Sequence, residues 1–249
     1  MWLSLDGPLW RKARALGKRR RCGQHEVRLK GASMSDATTD QSMHHGAPAH
    51  ALERLVFFSD AVFAISITLL GVELHAPILK FGAPDVDFVQ ALANLTPNFI
   101  GFFVSFFVIG AFWGGHHRSF DCAQHWSPRL GLPNLCLLSS VAAMPFFTAF
   151  MSENVGNRVP TMVYCIWLTI VAIFNLWNNS IAVSPGIVKD GIDPERIATI
   201  KVRGWSVILG AATSIVIAYF QPWVAQVGLF SIVFWRLLLQ RLRRPAAAS

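Results

Sequence analysis

Asp60 stands about one turn inside an apolar run, Leu55-Val56-Phe57-Phe58-Ser59-Asp60-Ala61-Val62-Phe63-Ala64-Ile65. A carboxylate in such surroundings costs about 3 kcal/mol unless it is neutralised, hydrated or hydrogen bonded, so it requires partners. Groups able to serve lie in two later stretches, Trp113-Gly114-Gly115-His116-His117-Arg118 and Pro133-Asn134. They offer an indole donor, an imidazole and a side-chain amide. Asp60 and His116 form the one acid and base pair available to a relay, which is the chemistry of a proton-coupled secondary transporter. Adjacent residues on a helix diverge by roughly 100°, so His116 and His117 do not both face Asp60 and make a poor metal clip. Neither a nucleophile with its base nor a pair of carboxylates occurs at a usable spacing, so no enzyme and no cofactor is expected.

The elements that must hold these residues follow from composition. Of the 249 residues 53% are hydrophobic and 14% charged, too apolar for an ordinary soluble domain of this size. The apolar runs fall near 55–74, 96–115, 130–151, 159–177, 204–220 and 223–239. Each is long enough, with modest tilt, to cross roughly 30 Å of hydrocarbon at about 1.5 Å per residue. The expected fold is therefore an all-α integral membrane protein with six transmembrane helices per chain. Gln221-Pro222 should separate the last two spans as a tight hairpin, and Pro145 should bend the third. The segment 178–203 reads as a connector containing a short helix.

Charge sets the orientation. Placing the N-terminus in the cytoplasm leaves 20 of the 22 Lys and Arg on that side and only Lys80 and Arg158 on the other. Ten of them lie in the first 54 residues, so the net charge of +8 belongs largely to a tail and does not point to nucleic acid. Residues 1–50 read as a basic, disordered, cytoplasmic tail, with a transit peptide or a start at Met34 as alternatives. Residues 51–240 are the membrane domain and 241–249 a short cytoplasmic tail. The scattered cysteines, Cys22, Cys122, Cys136 and Cys165, read as reduced packing residues.

This topology brings the start of span one, the end of span two and the start of span three to one membrane face. One polar cluster of Ser59, Asp60, Trp113, His116 and Asn134 is expected there. Arg54 and Asp60, six positions apart, point roughly 120° away from each other, which favours pairing between helices or subunits.

These residues carry a resemblance. Arg54-x-x-x-Phe58-Ser59-Asp60 resembles the RxxxFSD signature opening the first helix of the transmembrane protein 175 family of potassium channels. Phe63-Ala64-Ile65-x-Ile67-Thr68-Leu69-Leu70 is similar to the rest of that helix, as are Trp113-x-x-His116-His117, Asn134 and Pro145-Phe146 to later stretches. Six spans in a single repeat resemble the prokaryotic members, with the cell membrane as their place. The resemblance implies a homotetramer in the lipid bilayer, with the first helix lining a central pore through which K⁺ permeates. It also implies an apolar constriction at Ile65, with Leu69 and Val72 following at i+4 and i+7 on the same face. Family members often carry Leu where Val72 stands here. Thr68 is the nearest hydroxyl to that face, and Arg54, Phe58, Ser59, Asp60, Trp113, His116 and Asn134 would form a structural or gating network. A non-permeating membrane scaffold is a third possible class of function.

Overall fold

The computed structural model describes residues 47–243, with side chains described from His50 onward. It is all-α, and six of its helical segments are long and apolar enough to cross a membrane: His50–Val72, Asp85–Phe120, Pro128–Glu153, Arg158–Ala182, Pro194–Phe220 and Pro222–Arg243. The tails expected at 1–50 and 241–249 lie outside the described residues, except that residues 47–50 already belong to the first helix and 241–243 close the last.

Helix α1 spans Ala47–Val72, and a short α2, Asp85–Asn94, leads through Leu95 into α3, Thr96–Phe120. No apolar run in the sequence marks α2. Its carboxylates Asp85 and Asp87 sit in the first turn, where the helix dipole favours negative charge, and none of its residues is buried. The third span divides into α4, Pro128–Ala142, and α5, Met144–Glu153. The break at Ala143 is the bend expected from Pro145, whose ring nitrogen has no proton for the helical ladder. Trp167 of α6, Arg158–Ala182, donates its indole N–H to the Ser140 carbonyl at 2.9 Å, so a neighbouring helix serves a backbone acceptor just before the break.

Helix α7 runs without interruption from Pro194 to Phe220. The separate short helix expected within 178–203 is instead its first part. Asp193 caps it by accepting from the Glu195 N–H at 2.8 Å, as the Asp-Pro-Glu string allows, but no breaker follows to end it before the apolar run. At roughly 40 Å it exceeds the hydrocarbon thickness. Gln221 ends it, and Pro222 opens a 3₁₀ helix, Pro222–Phe230, that passes into α8, Ser231–Arg243, so the expected break between spans five and six is present.

Packing follows membrane rules, in which close helix approach replaces solvent exclusion as the source of cohesion. The buried face of α7 is Gly204, Ser206, Gly210, Ala211, Ser214 and Ala218, all small. Gly210 lets the backbone of Ile232 in α8 come to 3.2 Å of where a Cβ would stand. The main core joins Phe63 and Leu70 of α1, Ile109 and Phe112 of α3, Leu137 and Val141 of α4, Met144 and Met151 of α5 and Leu168 of α6. Helix α1 packs on α3, α4 and α5, whereas α7 packs on α6 on one side and on the 3₁₀ helix and α8 on the other.

Candidate functional site

The site begins with α1. Ser59, Phe63, Ser66 and Leu70 recur at helical spacing and are buried against the bundle. The opposite face is bare. Ile65 is 58% exposed, Leu69 42% and Val72 68%, beside 1% for Phe63 and 2% for Leu70. Phe58 is also exposed, as are Arg54 and Thr68. Thr68 donates its hydroxyl proton to the Ile65 carbonyl at 2.8 Å, which satisfies the donor within the helix and leaves the oxygen's lone pairs available.

On the buried face the polar residues assemble around Asn134. Ser59 donates its hydroxyl to the Leu55 carbonyl at 2.8 Å, so its oxygen is free to accept from Asn134 Nδ2 at 2.9 Å. The amide oxygen of Asn134 then lies 2.9 Å from His116 Nε2 and 3.3 Å from Asn178 Nδ2. With Nδ2 spent on Ser59, Oδ1 can only accept. Nε2 of His116 therefore donates the proton in that bond, and Nδ1 is buried without a partner. The ring stacks on Phe120 with centroids 4.2 Å apart and leans on Phe63 at 5.7 Å. A single amide thus ties α1, α3, α4 and α6 at one end of the bundle.

Asp60 is held separately. Trp113 donates its indole N–H to Asp60 Oδ1 at 2.8 Å. The five polar residues expected together are therefore at one end of the bundle, as a pair and a chain, with Asp60 next to Ser59 on α1 and Trp113 about one turn before His116 on α3. Arg54 and Phe58 point to the surface and take no part, and no ion pair joins Arg54 to Asp60 among the described residues. Asp60 and His116 have different hydrogen-bond partners and are not bonded to each other.

Asn178 is the residue the sequence reading missed. Its signal was present: Asn178-Asn179 ends the fourth span, and the loop-charge topology puts that end on the same membrane face as Asn134. A second polar chain also went unread, in which Tyr164 OH lies 3.0 Å from Ser105 Oγ, itself 2.7 Å from the Thr148 hydroxyl. This chain joins α3, α5 and α6 in mid-bundle and satisfies three buried hydroxyls without reaching the first cluster. Three or more metal-ligating side chains do not gather anywhere among the described residues, and Cys122, Cys136 and Cys165 are free thiols.

The family model described as endosomal/lysosomal potassium channel TMEM175 matches residues 54–145, the stretch from Arg54 to Pro145. A potassium channel of Chamaesiphon minutus is 37% identical over 132 residues, 51% of this chain and 64% of that protein. A potassium channel of a Chryseobacterium species is 28% identical over 197 residues, 77% of this chain and 95% of that one. The human endosomal/lysosomal proton channel TMEM175 is 30% identical over 139 residues, 50% of this chain and 26% of its own length. A crystal structure of a lysosomal potassium-selective channel TMEM175 homolog from Chamaesiphon minutus superposes with a TM-score of 0.65 at 26% identity, covering 76% of this chain and 97% of that one. The chain thus spans a little under two thirds of the first of these relatives and about a quarter of the human protein.

Proposed function

From its match to the TMEM175 potassium-channel family, we propose that this chain forms a cation channel that conducts K⁺ in preference to Na⁺. The observation that carries the reading is the two-faced first helix. Its bundle side is packed and polar at one end, while its other side leaves Ile65, Leu69 and Val72 uncovered at i, i+4 and i+7. In a homotetramer four such faces surround one axis. A narrow ring of Ile65 side chains, followed by Leu69 and Val72, holds the axis dry until a small rotation or widening admits a partly hydrated cation. Thr68 adds an oxygen beside that ring. No TVGYG filter is present in the sequence, so selection falls to this constriction.

The polar cluster supplies rigidity to the same helix. Ser59 and Asp60 are bonded to α4 and α3 within the chain, which fixes the azimuth of α1 and therefore which residues meet the axis. Arg54, exposed and on the side of α1 that carries Phe58, is placed for a contact between subunits. The loop charges put both termini in the cytoplasm, and likeness to single-repeat bacterial channels favours the cell membrane of a prokaryote.

A proton-coupled carrier using Asp60 and His116 is the alternative reading, and the proton channels among the animal relatives keep it in view. Against it stands the geometry: Asp60 is committed to Trp113, and His116 to Asn134. One measurement separates the two. Purified protein in planar bilayers under a K⁺/Na⁺ gradient should give single-channel currents whose reversal potential follows K⁺. Currents that follow the pH gradient instead, or silent bilayers containing verified tetramer, would overturn the potassium reading.

A further inference from the structure

Away from α1, the helices α3, α6, α7 and α8 enclose a cavity of about 340 Å³. Its wall is hydrocarbon, with Phe112, Leu168, Val207, Ala211, Leu229 and Ile232 contributing. Its rim is cationic. Arg118 from the last turn of α3, Arg203 from α7 and Arg236 from α8 all line it, so three like charges share one cavity. No carboxylate forms an ion pair with any of the three among the described residues.

Three guanidiniums from three helices, gathered beside an apolar wall without a counter-charge, repel one another in a medium that screens poorly. An anion would reverse the sign of that energy. Two further groups are left open at the same place. Arg203 Nε is buried without a hydrogen-bond partner, and so is the Oδ1 of Asn179, a side chain only 5% exposed whose Nδ2 is engaged by Asn175. Gly115 lies beside both, since a Cβ there would come to 4.0 Å from Arg118 and from Asn179.

We propose that this cavity binds an anionic phospholipid, with its phosphate held by Arg118, Arg203 and Arg236 and an acyl chain laid along the apolar wall. A planar guanidinium pairs bidentately with phosphate oxygens, and basic pockets between membrane helices are where lipid headgroups dock. The Asn179 oxygen needs a donor, which a glycerol headgroup supplies through a hydroxyl. A soluble phosphate would satisfy the rim but leave the wall uncovered. The site is independent of the ion that permeates, and on the topology above its rim lies at the cytoplasmic leaflet.

The test uses the full-length protein in a zwitterionic detergent, followed by thermal unfolding and native mass spectrometry. Phosphatidylglycerol should raise the unfolding midpoint and give a retained adduct, whereas phosphatidylcholine and inorganic phosphate at the same concentration should do neither. The double variant Arg203→Gln/Arg236→Gln should lose at least tenfold in apparent affinity for phosphatidylglycerol. Arg129→Gln/Arg196→Gln, an equal change of charge at exposed positions, should retain it. Equal responses to both lipids, an equal response to phosphate, or an unaltered Arg203→Gln/Arg236→Gln variant would each overturn the proposal. If that variant does not fold, photoactivatable phosphatidylglycerol on the unmodified protein decides. Labelling must fall within 108–118, 200–211 and 229–236, and labelling only elsewhere refutes the site.

Discussion

Asn134 and Ser59, 75 positions apart in the chain, meet at 2.9 Å with the amide as donor, and that direction propagates through the rest of the cluster. Because Ser59 gives its own proton to Leu55, the amide oxygen of Asn134 is left to accept from both His116 and Asn178. The arrangement predicts a hierarchy of losses. Asn134→Leu strands two buried donors and should destabilise the protein by roughly 1–3 kcal/mol per stranded group at most. Ser59→Ala removes the bond to the Leu55 carbonyl, which keeps its helical partner, and the bond from Asn134, stranding one donor that can shift, so about 0.6 kcal/mol, the membrane average, is expected. Thermal unfolding in detergent should rank them in that order, and equal midpoints would remove Asn134 from its central position.

The Asp60–Trp113 bond joins a carboxylate to a neutral donor at 2.8 Å. Asp60→Ala and Trp113→Phe should each lower recovery of the proposed tetramer in detergent. Together they should cost less than the sum of the singles, by about 1–3 kcal/mol of coupling if the bond is charge-assisted. Strict additivity, with assembly unchanged, would show that the pair does not set the position of α1.

Ile65 sits on the open face of α1, whereas Phe63 two residues earlier is buried. On the proposed pore, Ile65→Asn should raise single-channel conductance and shift the reversal potential toward the non-selective value, because a ring of amides would wet the axis. Ile166, an exposed apolar residue on α6, provides the comparison: Ile166→Asn should leave selectivity intact. Identical permeation in both variants would remove Ile65 from the pore.

Two glycines on apolar helices should respond in opposite directions. A Cβ at Gly210 would stand 3.2 Å from the backbone of Ile232, so Gly210→Leu forces α7 and α8 apart and should cost about 1–3 kcal/mol. Nothing lies within 4 Å of a Cβ at Gly110 in α3, so Gly110→Ala should raise the unfolding midpoint by reducing the backbone entropy lost on folding, a gain of about 0.5–1 kcal/mol. A stabilised Gly210→Leu protein would contradict the close α7–α8 contact.

Six membrane helices were legible in the sequence because apolar length is a local property, readable from a window of some twenty residues. Pro145 and Pro222 were legible for the same reason, since a missing N–H breaks the ladder wherever it occurs. Helix α2 was not, because ten half-polar residues carry no span-length signal and its existence depends on the long helix it leads into. The continuity of α7 also escaped, because the polarity of residues 194–203 marks where the chain leaves hydrocarbon and says nothing about where a helix stops.

For the site, the sequence by itself determined that Asp60 needs a partner and which membrane face must supply it. Topology is counted from loop charges, and the set of polar span ends follows from it. Only the tertiary structure decided who bonds to whom: Asp60 to Trp113, Asn134 to Ser59, His116 and Asn178, and Arg54 to nothing among the described residues. The reason is rotational. Each helix turns its side chains by about 100° per residue, and only packing against its neighbours fixes the azimuth at which Ser59 faces inward and Ile65 outward.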